Sequence, residues 1–269
     1  MTRSVTELMD LTGRKALITG GAGHIGRAIG ETLLELGATV TLLDLDEAVT
    51  TARAKELMRS AQRGRAMALA CDLLDEAATR RAMQQALATM GGLDILIHNA
   101  AYVGTTQRTG WSVPFEQQTV DAWDAAMRVN LTAAFVMAQE TQQALNASGH
   151  GTIVLLGSIY GVVGPDFRLY EGTGMVNAAV YAASKGGLLE LARYLATWLA
   201  PHVRVNAISP GGVLRGQPAA FQQRYVERTP LGRMATEEDL KGAVAYLASD
   251  LSAYVTGQNL LVDGGWTAW

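Results

Sequence analysis

The sequence predicts an α/β domain whose parallel sheet is covered by helices on both faces. Short apolar runs alternate with helix-period segments along the chain, and no internal repeat or low-complexity stretch interrupts them. With 269 residues, 49% of them hydrophobic, the chain is large enough to bury one substantial core. We therefore expect a single domain over residues 1–269.

Several apolar runs have the length and composition of buried strands. They are KALIT (15–19), ATVTLLD (38–44), AMALACD (66–72), LDILIHNAA with its loop (93–101), GTIVLLGS (151–158), VRVNAIS (203–209) and QNLLVDGG (258–265).

The segments between these runs place apolar residues three and four positions apart, which predicts helices. Gly37 and the pair Gly91–Gly92 are typical helix ends, and Thr236 with Asp239 has the spacing of a capping box. The predicted helices cover residues 24–37, 46–60, 75–90, 120–145, 179–200 and 236–248.

Composition and charge argue against several classes of protein. The formal net charge is −3 and no basic run exceeds Arg80–Arg81, so no nucleic-acid partner is expected. No apolar run approaches the roughly 18 residues of a membrane helix, and the polar N-terminus does not resemble a signal peptide. Because Cys71 is the one cysteine, we expect a cytoplasmic protein. The scattered histidines predict no metal site.

The segment TGGAGHIG (19–26) lies where the first predicted strand turns into the first helix. Glycines there let the backbone approach a pyrophosphate, and the helix N-terminus offers free N–H groups. An ordinary strand-to-helix turn is the alternative, but Asp44, at the end of the second strand, supports phosphate binding. Its carboxylate would bind ribose hydroxyls and repel a 2′-phosphate. Because no Arg or Lys lies between Thr19 and Ile25, we expect NAD(H) rather than NADP(H).

Polar residues are predicted to meet at the carboxyl ends of the strands, where open α/β sheets bind ligands. Ser158 ends the fifth strand, Asn130 lies in the helix over 120–145, and Tyr181 and Lys185 are neighbours on one helix face. The chain has four lysines against eighteen arginines, so a lysine here is more informative than in a lysine-rich protein.

Taken together, these motifs resemble the short-chain dehydrogenase/reductase family over nearly the whole chain. The resemblance rests on TGGAGHIG, Asp44, CD (71–72), HNAA (98–101), Asn130, Ser158, YAASK (181–185), RVNAISPGGV (204–213) and VTGQNLLVDGG (255–265). It implies a seven-stranded, doubly wound Rossmann sheet, an NAD-dependent oxidoreductase and a homotetramer or homodimer. It also implies a catalytic tetrad of Asn130, Ser158, Tyr181 and Lys185.

The Tyr181–Lys185 pair has a physical rationale. A phenol has a reference pKa of about 10, and a cation one helical turn away, together with an oxidised nicotinamide, favours the phenolate. Tyr181 is then expected to take a proton from a substrate alcohol, or to return it to a carbonyl. Ser158 is expected to bind the reacting oxygen and Lys185 the nicotinamide ribose. Asn130 is expected to anchor a water that connects Lys185 to solvent.

The resemblance implies further cofactor contacts along the phosphate loop, the adenosine and the nicotinamide. The expected residues are Gly20, Gly23, His24, Ile25, Gly26 and Asp44 for the loop and ribose, Asp72, Leu73, Asn99 and Ala100 for the adenosine side, and Tyr181, Lys185, Pro210, Gly211 and Val213 for the nicotinamide side.

Two motifs depart from the family pattern. His24 stands where the glycine loop usually has glycine, and we expect its imidazole to point outward while only the backbone meets phosphate. HNAA replaces the common NNAG, which places His98 and Ala101 at altered positions. We expect a small effect on stability there rather than on chemistry.

The spacing of 23 residues between Ser158 and Tyr181 is longer than the family usually has. This predicts an insertion over 164–178 near the site, and a second polar segment covers 102–118. Loops on a rigid scaffold commonly carry specificity; structural decoration or an oligomer contact is the alternative. Asp166 and Arg168 are available there to hydrogen-bond a polyol.

Residues 213–233 are expected to form a substrate lid. With the insertions they are similar to a branch associated with nonulosonate and surface-sugar biosynthesis. We therefore expect a sugar-like or other polar hydroxylated substrate, with a secondary alcohol or a ketone or aldehyde as its reacting group. Its expected contacts are Tyr160, Phe167, Tyr170 and Arg215. Trp266 or Trp269 is expected at a subunit interface.

Two other functions stay open. One is an NADP(H)-dependent reductase of a non-sugar carbonyl. The other is a catalytically silent dinucleotide-binding scaffold, which the presence of all four tetrad residues disfavours.

Overall fold

The computed structural model describes residues 2–61, 63–102 and 109–269, and these residues contain one seven-stranded parallel sheet. The strand order is β3-β2-β1-β4-β5-β6-β7, so the chain changes direction along the sheet between β1 and β4. The predicted doubly wound Rossmann sheet is thereby confirmed. The strands are β1 (Lys15–Thr19), β2 (Thr39–Asp44), β3 (Arg65–Ala70), β4 (Ile95–His98), β5 (Gly151–Leu156), β6 (Val203–Pro210) and β7 (Asn259–Val262).

Helices cover both faces of this sheet. They are α1 (Val5–Met9), α2 (His24–Glu35), α3 (Glu47–Ser60), α4 (Glu76–Met90), α5 (Val120–Met127), α6 (Ala133–Ser148), α7 (Ala179–Trp198), α8 (Ala219–Glu227) and α9 (Lys241–Ala248). Because successive side chains of a strand point to opposite faces, Leu17 packs with α4, α6 and α7 while Ile18 packs with α2, α3 and α9. The core is therefore two apolar layers, one on each side of the sheet.

The predicted helix over 120–145 is interrupted. A π-helical turn, Arg128–Thr132, separates α5 from α6, and the backbone N–H of Ala133 donates to the carbonyl of Arg128. Such turns widen a helix locally and often lie at functional sites. The apolar spacing runs through this turn without a break, which is why the sequence pattern predicts one continuous helix.

The inserted segment over 164–178 packs against α8, inside the predicted lid. Its short 3₁₀ turn, Phe167–Leu169, buries Leu169 completely. Leu169 belongs to an apolar group that we call the lid cluster, formed by Ile159, Leu169, Phe221, Tyr225, Met234 and Trp266. The insertion and the lid therefore form one packed body over the carboxyl end of the sheet.

Two arginines on the lid side fix this arrangement. The guanidinium of Arg224 donates to the backbone carbonyl of Glu171 at 2.6 Å and contacts two neighbouring carbonyls, while Arg228 pairs with the carboxylate of Asp166. Arg168 binds the same carboxylate, at 2.8 Å. Asp166 is thus paired with two arginines of its own chain, and the expectation that it hydrogen-bonds a polyol stays a prediction.

The two C-terminal tryptophans differ in their surroundings. Trp266 is buried in the lid cluster of its own chain, where the guanidinium of Arg228 lies 5.0 Å from its ring centroid. The expectation of an interface position is therefore wrong for Trp266. Trp269 is exposed and donates its indole N–H to the carbonyl of Arg228 at 3.0 Å.

Candidate active site

The four residues expected to act in catalysis lie on elements that converge at the carboxyl end of β5. Ser158 follows that strand by two residues and caps a 3₁₀ turn, accepting a hydrogen bond from the backbone N–H of Tyr160 at 3.1 Å. Tyr181 and Lys185 lie one turn apart in α7, and Asn130 lies in the π-helical turn. The sequence-based placement of Ser158, Tyr181 and Lys185 agrees with the structure, whereas Asn130 lies in a π-helical turn and not in a continuous helix over 120–145.

The phenol of Tyr181 is half-buried and hydrogen-bonds Ser158. Burial raises the pKa of Tyr181, and the hydrogen bond from Ser158 opposes this rise. The ammonium of Lys185 lies 5.8 Å from the ring centroid. The expectation that Lys185, together with an oxidised nicotinamide, favours the phenolate of Tyr181 stays a prediction.

Lys185 is anchored to the end of β5. Its side chain is 2% exposed, and its Nζ donates to the backbone carbonyl of Leu156, the last residue of β5, at 2.5 Å. Burial lowers the pKa of Lys185 to about 8. The ammonium is thus held at the end of β5, close to the ring of Tyr181.

Asn130 is fully buried and its amide bonds protein groups on both sides. The side-chain oxygen accepts from the backbone N–H of Tyr102 at 2.7 Å, and the amide nitrogen donates to the hydroxyl of Ser184 at 2.9 Å. Ser184 in turn donates to the backbone carbonyl of Tyr181 at 2.9 Å. Ser184 therefore links Asn130 to Tyr181, a role that the sequence reasoning missed although Ser184 is part of YAASK.

His98, the last residue of β4, is 1% exposed and lies between β1 and the π-helical turn. Its Nδ1 is 3.0 Å from the hydroxyl of Thr19, and its Nε2 is 3.2 Å from the backbone carbonyl of Asn130. The same hydroxyl accepts the backbone N–H groups of Asn99 and Ala100 at 3.2 and 3.1 Å. This network joins the strand that precedes the glycine loop to Asn130.

The buried imidazole makes stability depend on pH. Burial, together with the Lys185 ammonium, lowers the pKa of His98 from 6.5 to about 3. Between these values the unfolded chain binds a proton that the folded chain does not, so the free energy of unfolding decreases as the pH falls from 6.5 towards 3. At pH 5 this group alone costs about 2 kcal/mol.

Urea unfolding at pH 7 and at pH 5 checks this effect. We expect wild type to lose about 2 kcal/mol more than His98→Asn between the two pH values, because asparagine does not titrate. Equal losses in the two proteins would contradict the assignment of a neutral, buried imidazole.

The glycine loop between β1 and α2 fits a pyrophosphate. Gly20 has a φ of 63°, in the left-handed region that favours glycine. A Cβ added to Gly26 would lie 2.1 Å from the carbonyl oxygen of Gly20, so no other residue fits there without moving the loop. Gly23 caps α2 without a side-chain hydrogen bond, which leaves that role open for a ligand.

Asn99 and Asp44 border this loop. The amide of Asn99 donates to the carbonyls of Thr19 and Gly20 at 3.2 and 3.0 Å, so it holds the start of the loop in place. The carboxylate of Asp44 accepts the backbone N–H of Ala22 at 2.9 Å. Asp44 thus lies at the end of β2 directly beside the loop, where the sequence places it.

The remaining expected cofactor residues also lie at the carboxyl edge of the sheet. Asp72 is exposed and accepts the backbone N–H of Leu74 at 2.9 Å, whereas Leu73 is buried in the core. Pro210 ends β6, and Gly211 donates its N–H to the carbonyl of Val262 at 3.0 Å. Val213 forms an isolated β-bridge to Ala235. Ile25 packs against the apolar layer on the side of the sheet that α2 covers.

His24, the first residue of α2, is largely exposed, with its Nδ1 3.9 Å from the carboxylate of Glu237. Arg215 reaches the same carboxylate at 3.2 Å. The start of the lid is therefore next to the glycine loop. Arg215, which is expected to contact substrate, lies on the glycine-loop side of the lid.

Phenols from the insertion and from the segment after β5 meet near Tyr181. The hydroxyls of Tyr160 and Tyr170 are 2.8 Å apart. The side-chain amide nitrogen of Asn177 is 3.4 Å from the Tyr170 hydroxyl. Burial raises the pKa of both phenols, and Tyr181 contributes electrostatically to the rise at Tyr160. Phe167, also expected to contact substrate, is 62% exposed. Residues 103–108, part of the predicted insertion over 102–118, lie outside the described residues.

A family profile and a known relative match nearly the whole chain. The profile of a family described as Enoyl-(Acyl carrier protein) reductase matches residues 20–267. The chain is 35% identical to the cis-4-hydroxycyclohexanecarboxylate dehydrogenase of Sinomonas cyclohexanicum, covering 95% of this chain and 97% of that protein.

Two solved structures are similar over nearly the whole chain. A short-chain type dehydrogenase/reductase from Mycobacterium marinum has a TM-score of 0.86 at 29% identity, covering 99% of this chain and 100% of that one. A gluconate 5-dehydrogenase from Burkholderia cenocepacia J2315, in complex with NADP and tartrate, has a TM-score of 0.85 at 30% identity, covering 99% and 100%.

A parallel Rossmann sheet with a glycine loop and this polar cluster defines a dinucleotide-binding oxidoreductase that interconverts alcohols and carbonyl compounds. The chain belongs to the short-chain dehydrogenase/reductase family. Within the described ranges, no helix is long and apolar enough to cross a membrane.

Proposed function

We propose that this protein is an NAD(H)-dependent oxidoreductase that interconverts a secondary alcohol and a ketone or aldehyde on a polar, hydroxylated substrate, with Tyr181 as the acid–base residue. One observation carries the proposal: the Tyr181 phenol hydrogen-bonds Ser158 above a buried, anchored Lys185 at the carboxyl end of β5. A phenol placed in this way can exchange a proton with a substrate oxygen that Ser158 binds.

Each residue of the site would have its own role in the reaction. Tyr181 removes the proton of the alcohol during oxidation and returns it to the carbonyl oxygen during reduction. Ser158 holds the reacting oxygen, and Lys185 supplies positive charge and a contact to the ribose. When bound, the nicotinamide accepts or donates the hydride. Asn130 and Ser184 fix the backbone that carries Tyr181.

The polar nature of the proposed substrate is supported by the Tyr160–Tyr170 hydroxyl pair in the inserted segment. Similarity to a gluconate 5-dehydrogenase supports a polyol-like compound. Similarity to a hydroxycyclohexanecarboxylate dehydrogenase favours a second candidate, an alicyclic alcohol.

A substrate panel separates these candidates. We expect sugar acids, alditols and ketoses to be turned over with kcat/KM at least about tenfold above cyclohexanol and simple aliphatic alcohols, because the phenol pair would bind extra hydroxyls. Turnover of the apolar alcohols alone would contradict the hydroxylated substrate. Turnover of none, in either direction and with either dinucleotide, would contradict the oxidoreductase itself.

The preference for NAD(H) rests on Asp44. Its carboxylate lies beside the loop, where it would accept the ribose hydroxyls and repel a 2′-phosphate. Arg53 also approaches the loop, with its Nε 3.3 Å from the carbonyl of Ala22, but its guanidinium pairs with Glu56 at 2.5 Å. Because Arg53 is already paired with Glu56, we expect the negative charge of Asp44 to dominate and to disfavour a 2′-phosphate.

Cofactor kinetics test this preference. We expect wild type to favour NAD over NADP by at least about 100-fold in kcat/KM, and Asp44→Asn to reduce that ratio by at least about tenfold. Asp46→Asn is the matched control, because it removes a carboxylate two residues away while asparagine still caps α3. An NADP preference in wild type would overturn the assignment.

We also propose a cytoplasmic protein that self-associates as a homotetramer or homodimer. Apolar side chains are exposed on α6, α7 and the edge strand β7, including Phe135, Trp198 and Leu261. Exposed apolar patches of this kind favour subunit contacts. Analytical ultracentrifugation showing only monomer at micromolar concentration would exclude self-association.

A further inference from the structure

His98 is a buried polar group that the chemistry proposed above does not use. It stands at the end of β4, and its two ring nitrogens contact two different elements, Thr19 at the end of β1 and Asn130 in the π-helical turn. Neither contact is to solvent, so the side chain acts as a link inside the protein.

The surrounding donors fix which nitrogen carries the proton. The Thr19 hydroxyl accepts two backbone N–H groups, from Asn99 and Ala100, and these occupy both of its lone pairs. Its single proton must then go to the Nδ1 of His98. A neutral imidazole that accepts at Nδ1 carries its proton on Nε2, which therefore donates to the carbonyl of Asn130.

The link is part of a longer chain of hydrogen bonds. From Thr19 it passes through His98 at 3.0 Å to the Asn130 carbonyl at 3.2 Å. The Asn130 amide continues to Ser184 at 2.9 Å, and Ser184 to the backbone of Tyr181 at 2.9 Å. Thr19 directly precedes Gly20, so this series of hydrogen bonds connects the start of the glycine loop to the helix that carries Tyr181.

We propose that His98 is a positioning residue, which as a single Nε2–H tautomer fixes the Asn130 peptide to β1 and thereby orders the Tyr181 helix against the glycine loop. The catalytic part of this proposal rests on the proposed function; the structural part does not. It replaces the expectation that the change from NNAG to HNAA affects stability alone.

Two amide substitutions separate the two ends of the link. In His98→Gln the amide nitrogen reaches the position of Nε2, so the bond to Asn130 can be kept while the acceptor for Thr19 is lost. In His98→Asn the shorter side chain places its oxygen near the position of Nδ1, so the Thr19 bond can be kept while the Asn130 bond is lost. Each variant loses one neutral hydrogen bond, so similar effects on overall stability are expected.

The first test does not depend on turnover. Nitrogen-15 NMR of the wild-type imidazole is expected to show a pyridine-like Nδ1 and a protonated Nε2. The amide of Tyr102, which bonds the Asn130 side chain, is expected to exchange with solvent about tenfold faster in His98→Asn and within about threefold of wild type in His98→Gln. A protonated Nδ1, or equal Tyr102 exchange in the two variants, would overturn the proposal.

The second test measures catalysis on any substrate that wild type converts. We expect kcat to fall about tenfold in His98→Asn with the KM of the substrate within about twofold, and to be largely retained in His98→Gln. Equal kcat in both variants, at equal urea midpoints, would show that the Asn130 bond has no catalytic effect. Absence of any wild-type turnover would count against the proposed function, while the exchange measurement would still decide the role of His98.

Discussion

Tyr181→Phe is expected to lower kcat by about 10³-fold while leaving the affinity for NADH within about twofold of wild type. Phenylalanine retains the half-buried ring in α7 and removes only the hydroxyl that hydrogen-bonds Ser158. The proton of the substrate then has no group to accept it, whereas the glycine loop and Asp44 are untouched.

Steady-state kinetics and NADH fluorescence titration measure the two quantities separately. Tyr194→Phe is the matched control, because it removes a phenol from the same helix at a position that is 59% exposed. We expect that variant to keep kcat within about twofold, since its hydroxyl is far from the buried cluster. Near-normal kcat in Tyr181→Phe would exclude Tyr181 as the acid–base residue.

Gly26→Ala is expected to weaken NADH binding by at least about 100-fold. The added Cβ would lie 2.1 Å from the Gly20 carbonyl oxygen and 2.8 Å from the Cα of Gly21, and real Cβ atoms do not approach backbone so closely. The loop must therefore move away from the helix N-terminus, which removes the close backbone approach that a pyrophosphate needs.

Gly242→Ala supplies the control for a glycine replaced within a helix. A Cβ on Gly242 in α9 meets nothing within 4 Å, so alanine should be neutral, or stabilising by about 1 kcal/mol. Urea unfolding of both variants separates a loss of affinity from a loss of fold. Gly26→Ala binding NADH as tightly as wild type would contradict the assignment of this loop to the pyrophosphate.

Features of the fold that depend on local pattern could be predicted from the sequence. The alternation of apolar runs and helix periods predicts the parallel sheet, and the i, i+4 spacing places Tyr181 and Lys185 on one face of α7. Asp44 at the end of β2 and the glycines after β1 follow in the same way, because carboxyl ends of parallel strands share one edge.

Features that depend on contacts between distant segments could not be predicted from the sequence. The direction of the Lys185 ammonium is set by the carbonyl of Leu156, 29 positions away, so the spacing of Tyr181 and Lys185 does not predict this contact. The π-helical turn keeps the apolar spacing of an α-helix, and nothing in the sequence marks it. The ties from Arg224 and Arg228 to the insertion likewise join segments more than 50 residues apart.

A structure of the wild-type protein with NADH bound would show whether Tyr181 lies beside the nicotinamide. We expect the dinucleotide along the carboxyl edge of the sheet, with its pyrophosphate on the glycine loop, its ribose hydroxyls at Asp44, and its nicotinamide within reach of the Tyr181 hydroxyl and the Lys185 ammonium. A nicotinamide bound elsewhere, or a Tyr181 side chain turned away from that ring, would contradict this expectation.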